Sequence, residues 1–444
     1  MSDTTTYTTD LKTRLLTSFS QFEKELNGSI SSPIHTLRKD ALEQFDRLGF
    51  PTTKHEEWKY TDIKGLLKQD FDFAPINHSI STSAYDIQDL LIPDTEANIL
   101  VFVNGIYQAG LSKIVSSSQD IVIKDFTEAY TTHGSIIDSY FAKFAAYKTN
   151  AFVALNTAFA QKGTFVHIPN NKVVEKPVII YHIADTSASK PVAMPRNLLV
   201  AGKNSQASVV EVYLTKGEGT SFTNTVTEIV IQENASLEHI KIQNVGSEAY
   251  NIGTTQVYQV RDSKLFSVTV SLNGAIVRND LNIVLDDQNC EANLYGLYMP
   301  TGKTHIDNHS LVDHAKPHSY SNELYKGILD GKSTGVFNGK IFVRQDAQKT
   351  NAFQSNRNIL LSKEASMNTK PQLEIFADDV KCSHGATTGQ LDEDMLFYLR
   401  SRGISLEKAK ALLMHAFAAD VVNQIKIESV RHYVENAITS RLTE

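Results

Sequence analysis

The chain has 444 residues, 41% of them apolar and 21% charged, with a formal net charge of −7. That length suffices for about two or three domains around a large core, and the mild acidity excludes the basic footprint of a nucleic-acid binder. No run of about 18 apolar residues is present to span a bilayer, so no membrane contact is expected.

The N-terminal MSDTTTYTTDLKTRLL lacks the basic-then-apolar layout of a signal peptide. Next, Leu11, Leu15, Leu16, Phe19, Phe22 and Leu26 recur at helical spacing. A second helix follows Ser32-Pro33, where Ser can cap and Pro can fill the first turn. Its stripe is Ile34, Leu37, Ala41, Phe45 and Leu48, and Gly49 is placed to end it. The segment FPTTKHEEWKYTDI (50–63) carries the only tryptophan, Trp58. Within NILVFVNGIYQAGLS, Asn104-Gly105 predicts a hairpin. Residues 136–163 predict one further helix, stopping near Gly163.

From about Thr164 the texture changes. Short Val-, Ile- and aromatic-rich segments such as TEIVIQ, FSVTVSL, NLYGLYM and VFNGKIFV follow one another with polar breaks. No helix-length stretch intervenes, so doubly wound α/β folds are excluded and a sandwich, a barrel or a β-solenoid remains. The breaks DGKSTG, LDDQNCE and VRQDAQKT recur at a loose spacing of about 13 to 19 residues, compatible with stacked coils. After His384 the chain turns helical again. Asp392 can cap EDMLFYLRSR with Gly403 as its stop, Ser405 can cap residues 406–425, and Ser429 can cap the last helix. The middle helix is apolar over much of its circumference and must cover the strand region or a partner. The expected division is a mostly helical N-terminal domain over residues 1–163, a strand-rich core over 164–386 and a helical C-terminal domain over 387–444.

Cys290 and Cys382 are the only thiols, too few for a disulfide framework, and a reducing cytoplasm fits best. In VKCSHGATTG (380–389), Cys382 and His384 alternate with Lys381 and Ser383. On a strand both would point to one face. A thiolate beside an imidazole suits an Fe–S cluster, Zn or Cu(I), but two ligands make only half a tetrahedral site. The competing reading is a packed cysteine next to a hydrogen-bonded histidine. His305, Asp307 and His309, within THIDNHSLVDHAKPH (304–318), would also share a face. HExxH is absent, and a structural role is favoured over a metal site. Glu374, Asp378 and Asp379 form a small acidic group, but the adjacent aspartates would face opposite sides of a strand. No GxxxxGK[ST] loop exists, so nucleotide hydrolysis would have to come from a partner.

Two long stretches, LYKGILDGKSTGVFNGKIFVRQDAQKTNAFQSNRNILLS and PQLEIFADDVKCSHGATTGQLDEDMLFYLRSRGIS, resemble the SufB/SufD family of iron–sulfur cluster assembly proteins. GFPTTKHEEWKYTDI resembles the SufD N-terminal region. HGATTGQLDE is similar to the SufD version of the motif rather than to the HEATTSKI of SufB, and the extra cysteines common in SufB are missing. The resemblance implies a right-handed parallel β-helix between helical N- and C-terminal domains. It also implies a complex with a SufB-type subunit and the SufC ATPase, which docks on the C-terminal helices. A transient cluster would then be shared across the SufB interface, with His384 the implied ligand and Cys382 a co-ligand, a sulfur acceptor or packing. None would be held by the isolated chain, for which a homodimer is left open. The alternatives are a SufB-like subunit with its own cluster site, a β-helix carbohydrate-active enzyme, and a clamp for SufC without a metal role.

Overall fold

The computed structural model describes residues 10–26, 33–73 and 87–443. The strands form two ten-stranded sheets, and from Gln206 onward the chain passes from one sheet to the other with each successive strand. Within a sheet, neighbours are parallel and in register: Gln206, Ser236, Lys264, Glu291, Tyr320, Asn351 and Lys381 stack in one line across the first sheet. Their spacing is 27 to 31 residues, so one coil is two strands and two turns. The looser period of the polar breaks is the half-coil. The core is a parallel β-helix, one of the three folds that the strand pattern leaves open and the one that the family resemblance implies.

One corner of every coil explains the stacking. Asn171, Asn204, Asn234, Asp262, Asn289, His318 and Lys349 each adopt a left-handed backbone, with φ between 54° and 64°. These residues sit where the chain leaves the second sheet for the first, and all but Asn289 donate the backbone N–H to a carbonyl of the following turn, as Asn234 does to Arg261 at 3.0 Å. Asn and Asp tolerate this conformation because their short side chains bond locally. Here those side chains also bond coil to coil: Asn204 Nδ2 donates to Asn171 Oδ1 at 2.8 Å and Asn234 Nδ2 to Asn204 Oδ1 at 2.9 Å. The ladder ends in His318 and Lys349, two residues poorly suited to the geometry.

The interior is filled by alternate residues of both sheets. One half is aliphatic: Val209, Ile229, Leu237, Val257, Leu265 and Ile283 are all buried there. Elsewhere the interior holds hydrogen-bonded polar groups such as Glu211 and His239, or fits large residues against glycines. Tyr325 lies against Gly296 and Tyr298 against Gly327, and a Cβ on either glycine would come within 2.2 Å and 2.4 Å of the facing ring. The glycines in NLYGLYM and ELYKGIL are holes for tyrosine knobs.

Helices close the flanks. Leu11–Glu25 is capped by Asp10, which accepts from Thr13 N at 2.7 Å, and buries Leu11, Leu15, Phe19 and Phe22. Pro33–Leu48 ends at Gly49 (φ 63°); its expected cap, Ser32, lies outside the described residues. Asn104-Gly105 turns the predicted hairpin, pairing Val103 with Ile106. The single helix expected over 136–163 is instead two, Phe126–Tyr140 and Ala151–Ala158. The break has a specific cause. The buried Glu228 carboxylate, paired with Arg196 at 2.6 Å, accepts the backbone N–H groups of Ala142, Phe144 and Ala145, and so diverts them from helical bonding. The strand Asn98–Val103 already belongs to the first sheet, paired in parallel with Val178–Asp185.

At the other end, Asp392 and Ser405 cap Glu393–Ser401 and Leu406–Val422 as expected. Ser429 is not a cap, because the last helix begins one residue earlier, at Glu428. The last two helices cover the outer face of the first sheet: Met414, Ala418, Val421, Val434 and Ile438 bury against Ile240, Val268, Leu297 and Ile328. Lys326 fixes the docking by donating to Asp420 Oδ2 (2.5 Å) and to the Phe417 carbonyl (2.9 Å). Among the described residues no helix is long and apolar enough to cross a membrane.

The corner ladder sets a stability test. Asn234→Ala keeps the left-handed backbone but removes the rung, and should cost about 1–2 kcal/mol. Lys349→Asn puts a suitable residue where the ladder ends and should raise stability by up to about 1 kcal/mol, since the exposed Lys349–Asp379 pair it removes contributes little. Urea unfolding midpoints of the two variants should move in opposite directions.

Candidate functional site

The β-helix is covered at one end and open at the other. Among the described residues the strand Lys381–Gly389 pairs only with Asn351–Leu360, and Ser366–Ile375 only with Thr334–Val343. Both leave a free edge of backbone donors and acceptors. Residues along Lys381–Gly389 are exposed except Cys382, which is half-buried. In the strand beneath, Ala352, Gln354, Asn356 and Asn358 are buried and point inward; above them, in register, stand Cys382, His384, Ala386 and Thr388. Cys382 and His384 therefore share the inner face of the last coil, at its rim.

Their surroundings differ. Cys382 packs with Ile341, Val343, Ala347, Ala352 and Ala377. Burial pushes its thiol up, against the opposing pull of a hydrogen bond to the Ala352 backbone, which keeps the thiol protonated and a poor nucleophile. His384 is exposed at the opening. Below it lies a layer of amides. Asn358 Nδ2 donates to Asn356 Oδ1 at 2.7 Å, Asn356 Nδ2 to Tyr298 Oη at 3.0 Å, and Gln354 Nε2 to Glu323 Oε2 at 2.7 Å. Sequence reasoning passed over these groups, although the alternation in AFQSNRN announces them. Among the described residues no set of three or more His, Cys, Asp or Glu is gathered to hold a metal. The rim thus offers an incomplete ligand set.

The other sequence candidates are structural. Cys290 is buried, and its Sγ donates to the carbonyls of Val260 and Asp287, both at 3.2 Å. Glu374 and Asp379 are each paired with a lysine, Lys340 and Lys349, so they form no catalytic carboxylate pair. The histidine-rich strand His305–His314 does place His305, Asp307 and His309 on one outer face, where they receive the segment around Trp58. Arg278 is the centre: its guanidinium lies 3.9 Å from the Trp58 ring centroid, pairs with Asp307 (2.5 Å) and Asp280 (2.8 Å), and donates to the Glu57 carbonyl (2.9 Å). Thr61 bonds Asp307 and His305, and His309 bridges Asp307 (3.0 Å) and Glu57 (3.2 Å). HEEWKYT is the clasp that fastens the N-terminal region to the second sheet.

Comparisons with known proteins show the family to which this β-helix and its flanking helices belong. Residues 9–180 match the SufBD protein N-terminal region, and residues 182–417 match the SufBD core domain of SUF-system FeS cluster assembly. The chain belongs to the SufBD family. It is 34% identical to the iron–sulfur cluster assembly protein SufD of Escherichia coli over 94% of this chain and 95% of that protein. It is 31% identical to a SufBD family protein of Synechocystis over 94% and 93%, and 26% identical to SufD of Bacillus subtilis over 92% and 94%.

The clasp makes a pH prediction. Burial pulls the His309 imidazole down, but Asp307 and Glu57 outweigh it and hold it above its ordinary 6.5. Its stabilisation is therefore complete below that value and is lost as pH rises through the raised one. Between about pH 6 and pH 8.5 the advantage of the wild type over His309→Gln in urea midpoint, followed by Trp58 fluorescence, should shrink.

Proposed function

We propose that the chain is a SufD-type scaffold subunit, non-enzymatic itself, that works with a SufB-type subunit and a SufC-type ATPase. The observation that carries this reading is the open rim, where the last coil presents His384 and Cys382 on its inner face beside two free strand edges. A partner adding its own strands there would complete the backbone bonding and bring the missing ligands to a nascent cluster. That cluster is cargo, shared across the interface and not retained by this chain alone. His384 is the ligand; the thiol of Cys382, half-buried and held up, is in this reading chiefly packing. Joining the same rim to a second copy is the use open to the isolated chain.

A second surface suits the ATPase. Met395, Phe397 and Tyr398, on the first C-terminal helix, are exposed, Phe397 by 74%. Exposed aromatic clusters are the usual anchors of interfaces. Removing the C-terminal helices would strip the outer face of the first sheet, so point variants test this surface better than truncation. Family membership displaces the carbohydrate-active alternative, and a SufB-like subunit would need more accessible thiols than Cys290 and Cys382 supply. The divisions at 163 and 386, and a reducing cytoplasm as the location, are kept within the same reading.

Three outcomes test it. The purified chain should neither hydrolyse ATP nor keep a cluster after anaerobic reconstitution; steady ATPase turnover would sink the scaffold role. Phe397→Asp should weaken capture of the ATPase about tenfold or more at unchanged unfolding midpoint, since a truncated anchor typically costs about 2 kcal/mol or more. His384→Ala should preserve fold and partners yet slow cluster formation in the complex severely, with Cys382→Ala milder. Absorption spectra of the two variants in one assay decide between ligand and packing, and a normal rate for His384→Ala removes the interface-ligand role.

A further inference from the structure

Resting on the ligand reading of His384, we propose that Gln354 and Glu323 are positioning residues for its imidazole. The Gln354 carbonyl oxygen accepts the ring N–H turned away from the cargo, and Glu323 fixes the amide in that orientation. The three residues form one inward-facing column on consecutive strands of the first sheet: His384 is in register with Gln354, and Gln354 with Glu323. Neighbouring strands lie about 4.8 Å apart, within reach of side chains this long.

The hydrogen bonding below the rim is directional. Gln354 and Glu323 are 4% and 2% exposed. Gln354 Nε2 donates to Glu323 Oε2 at 2.7 Å. An ionised carboxylate only accepts, so it selects the NH₂ end of the amide and leaves the carbonyl end free. That carbonyl, Gln354 Oε1, is buried and has no partner. Buried polar atoms in a native fold are nearly always paired, and one left open at the mouth of a site calls for a ligand or a moving group. His384, in the next strand and on the same face, carries a ring N–H that can supply the bond. Gly339 supplies the space across the interior, since a Cβ there would lie 2.4 Å from Gln354 Nε2.

The chemistry explains why such a column would be worth building. A metal-binding imidazole needs its second nitrogen protonated and anchored, which fixes the tautomer and the ring plane. On its own strand the flanking inward positions supply no such anchor: Cys382 is turned into an apolar cluster, and the other is Ala386. Burial raises the Glu323 carboxyl to about 7, against the pull of the Ser310 hydroxyl and the Gln354 amide, with the Tyr325 phenol also in its field. The orienting form is therefore the one present on the alkaline side.

The test uses the full chain labelled with ¹⁵N-histidine at about pH 8.5, where an imidazole is neutral. The His384 signals are assigned by their loss in His384→Ala. In the wild type His384 should hold one ring tautomer. Gln354→Leu, and less completely Glu323→Gln, should relax it to the mixture of a free imidazole. The double swap Glu323→Gln/Gln354→Glu keeps an acceptor under the ring and should restore the bias. In the assembled complex Gln354→Leu should slow cluster formation about tenfold, the scale of lost outer-shell support. A free mixture already in the wild type, or a tautomer indifferent to Gln354→Leu, overturns the positioning role. The tautomer measurement contains no iron, so it can fail only on positioning. The ligand role itself stands or falls on the assembly rate of His384→Ala.

Discussion

Every feature of this molecule depends on one constraint: each coil must return to the same place one strand spacing further along. A β-helix has no crossover helices to absorb error, so the corner has to be solved identically each time. The left-handed residue between the second and first sheets is that solution. It bends the chain and, in all but one case, sends its N–H to the next turn. The side chains of Asn171, Asn204 and Asn234 make the same correction sideways. A slip of one residue in a coil would exchange its inward and outward columns and break the contacts of both, which keeps the register strict.

That strictness brings distant stretches of the sequence into useful columns. Residues about 30 apart become neighbours, so His384 stands over Gln354 and Glu323, and Arg278 stands beside Asp307. The two faces of the solenoid are then used differently. The outer face of the first sheet takes the C-terminal helices through Lys326 and an aliphatic seam. The outer face of the second takes the Trp58 segment through a buried charge cluster. Breaking one partner out of such a cluster strands the rest and is costly, and it adds to the apolar contacts that Trp58, Ile63 and Leu66 share with Phe222, Tyr250, Ile252 and Ile276.

Local signals in the sequence were legible because they act locally. The caps at Asp392 and Ser405 and the Asn104-Gly105 turn need only their neighbours, and all three are found where expected. The alternation that puts Cys382 and His384 on one face is equally local. What the sequence concealed is non-local. The helix expected over 136–163 is split by Glu228, more than 80 residues away in the chain. The two-strand coil hides because interior positions balance volume between neighbours rather than repeat a residue type, as Tyr325 against Gly296 shows. The Trp58–Arg278 contact joins residues far apart in the sequence and carries no spacing signal. Ser429 looked like a cap, but the last helix already begins at Glu428, which leaves the serine inside its first turn.

The two ends of the solenoid differ in one more respect, and it bears on stoichiometry. At the N-terminal end each sheet finishes in an antiparallel partner, Ile106–Tyr107 on one and Val122–Asp125 on the other, and the helix Phe126–Tyr140 follows directly behind. A coil arriving there finds the parallel stacking reversed. Only the rim beyond Ser366–Ile375 and Lys381–Gly389 continues the coil geometry. A solenoid with two such ends would polymerise into rods; with one it can only pair. A partner with a single open end of its own would therefore terminate growth at the rim, and such an end-to-end pair would leave the helices on the first sheet's outer face uncovered by the joint.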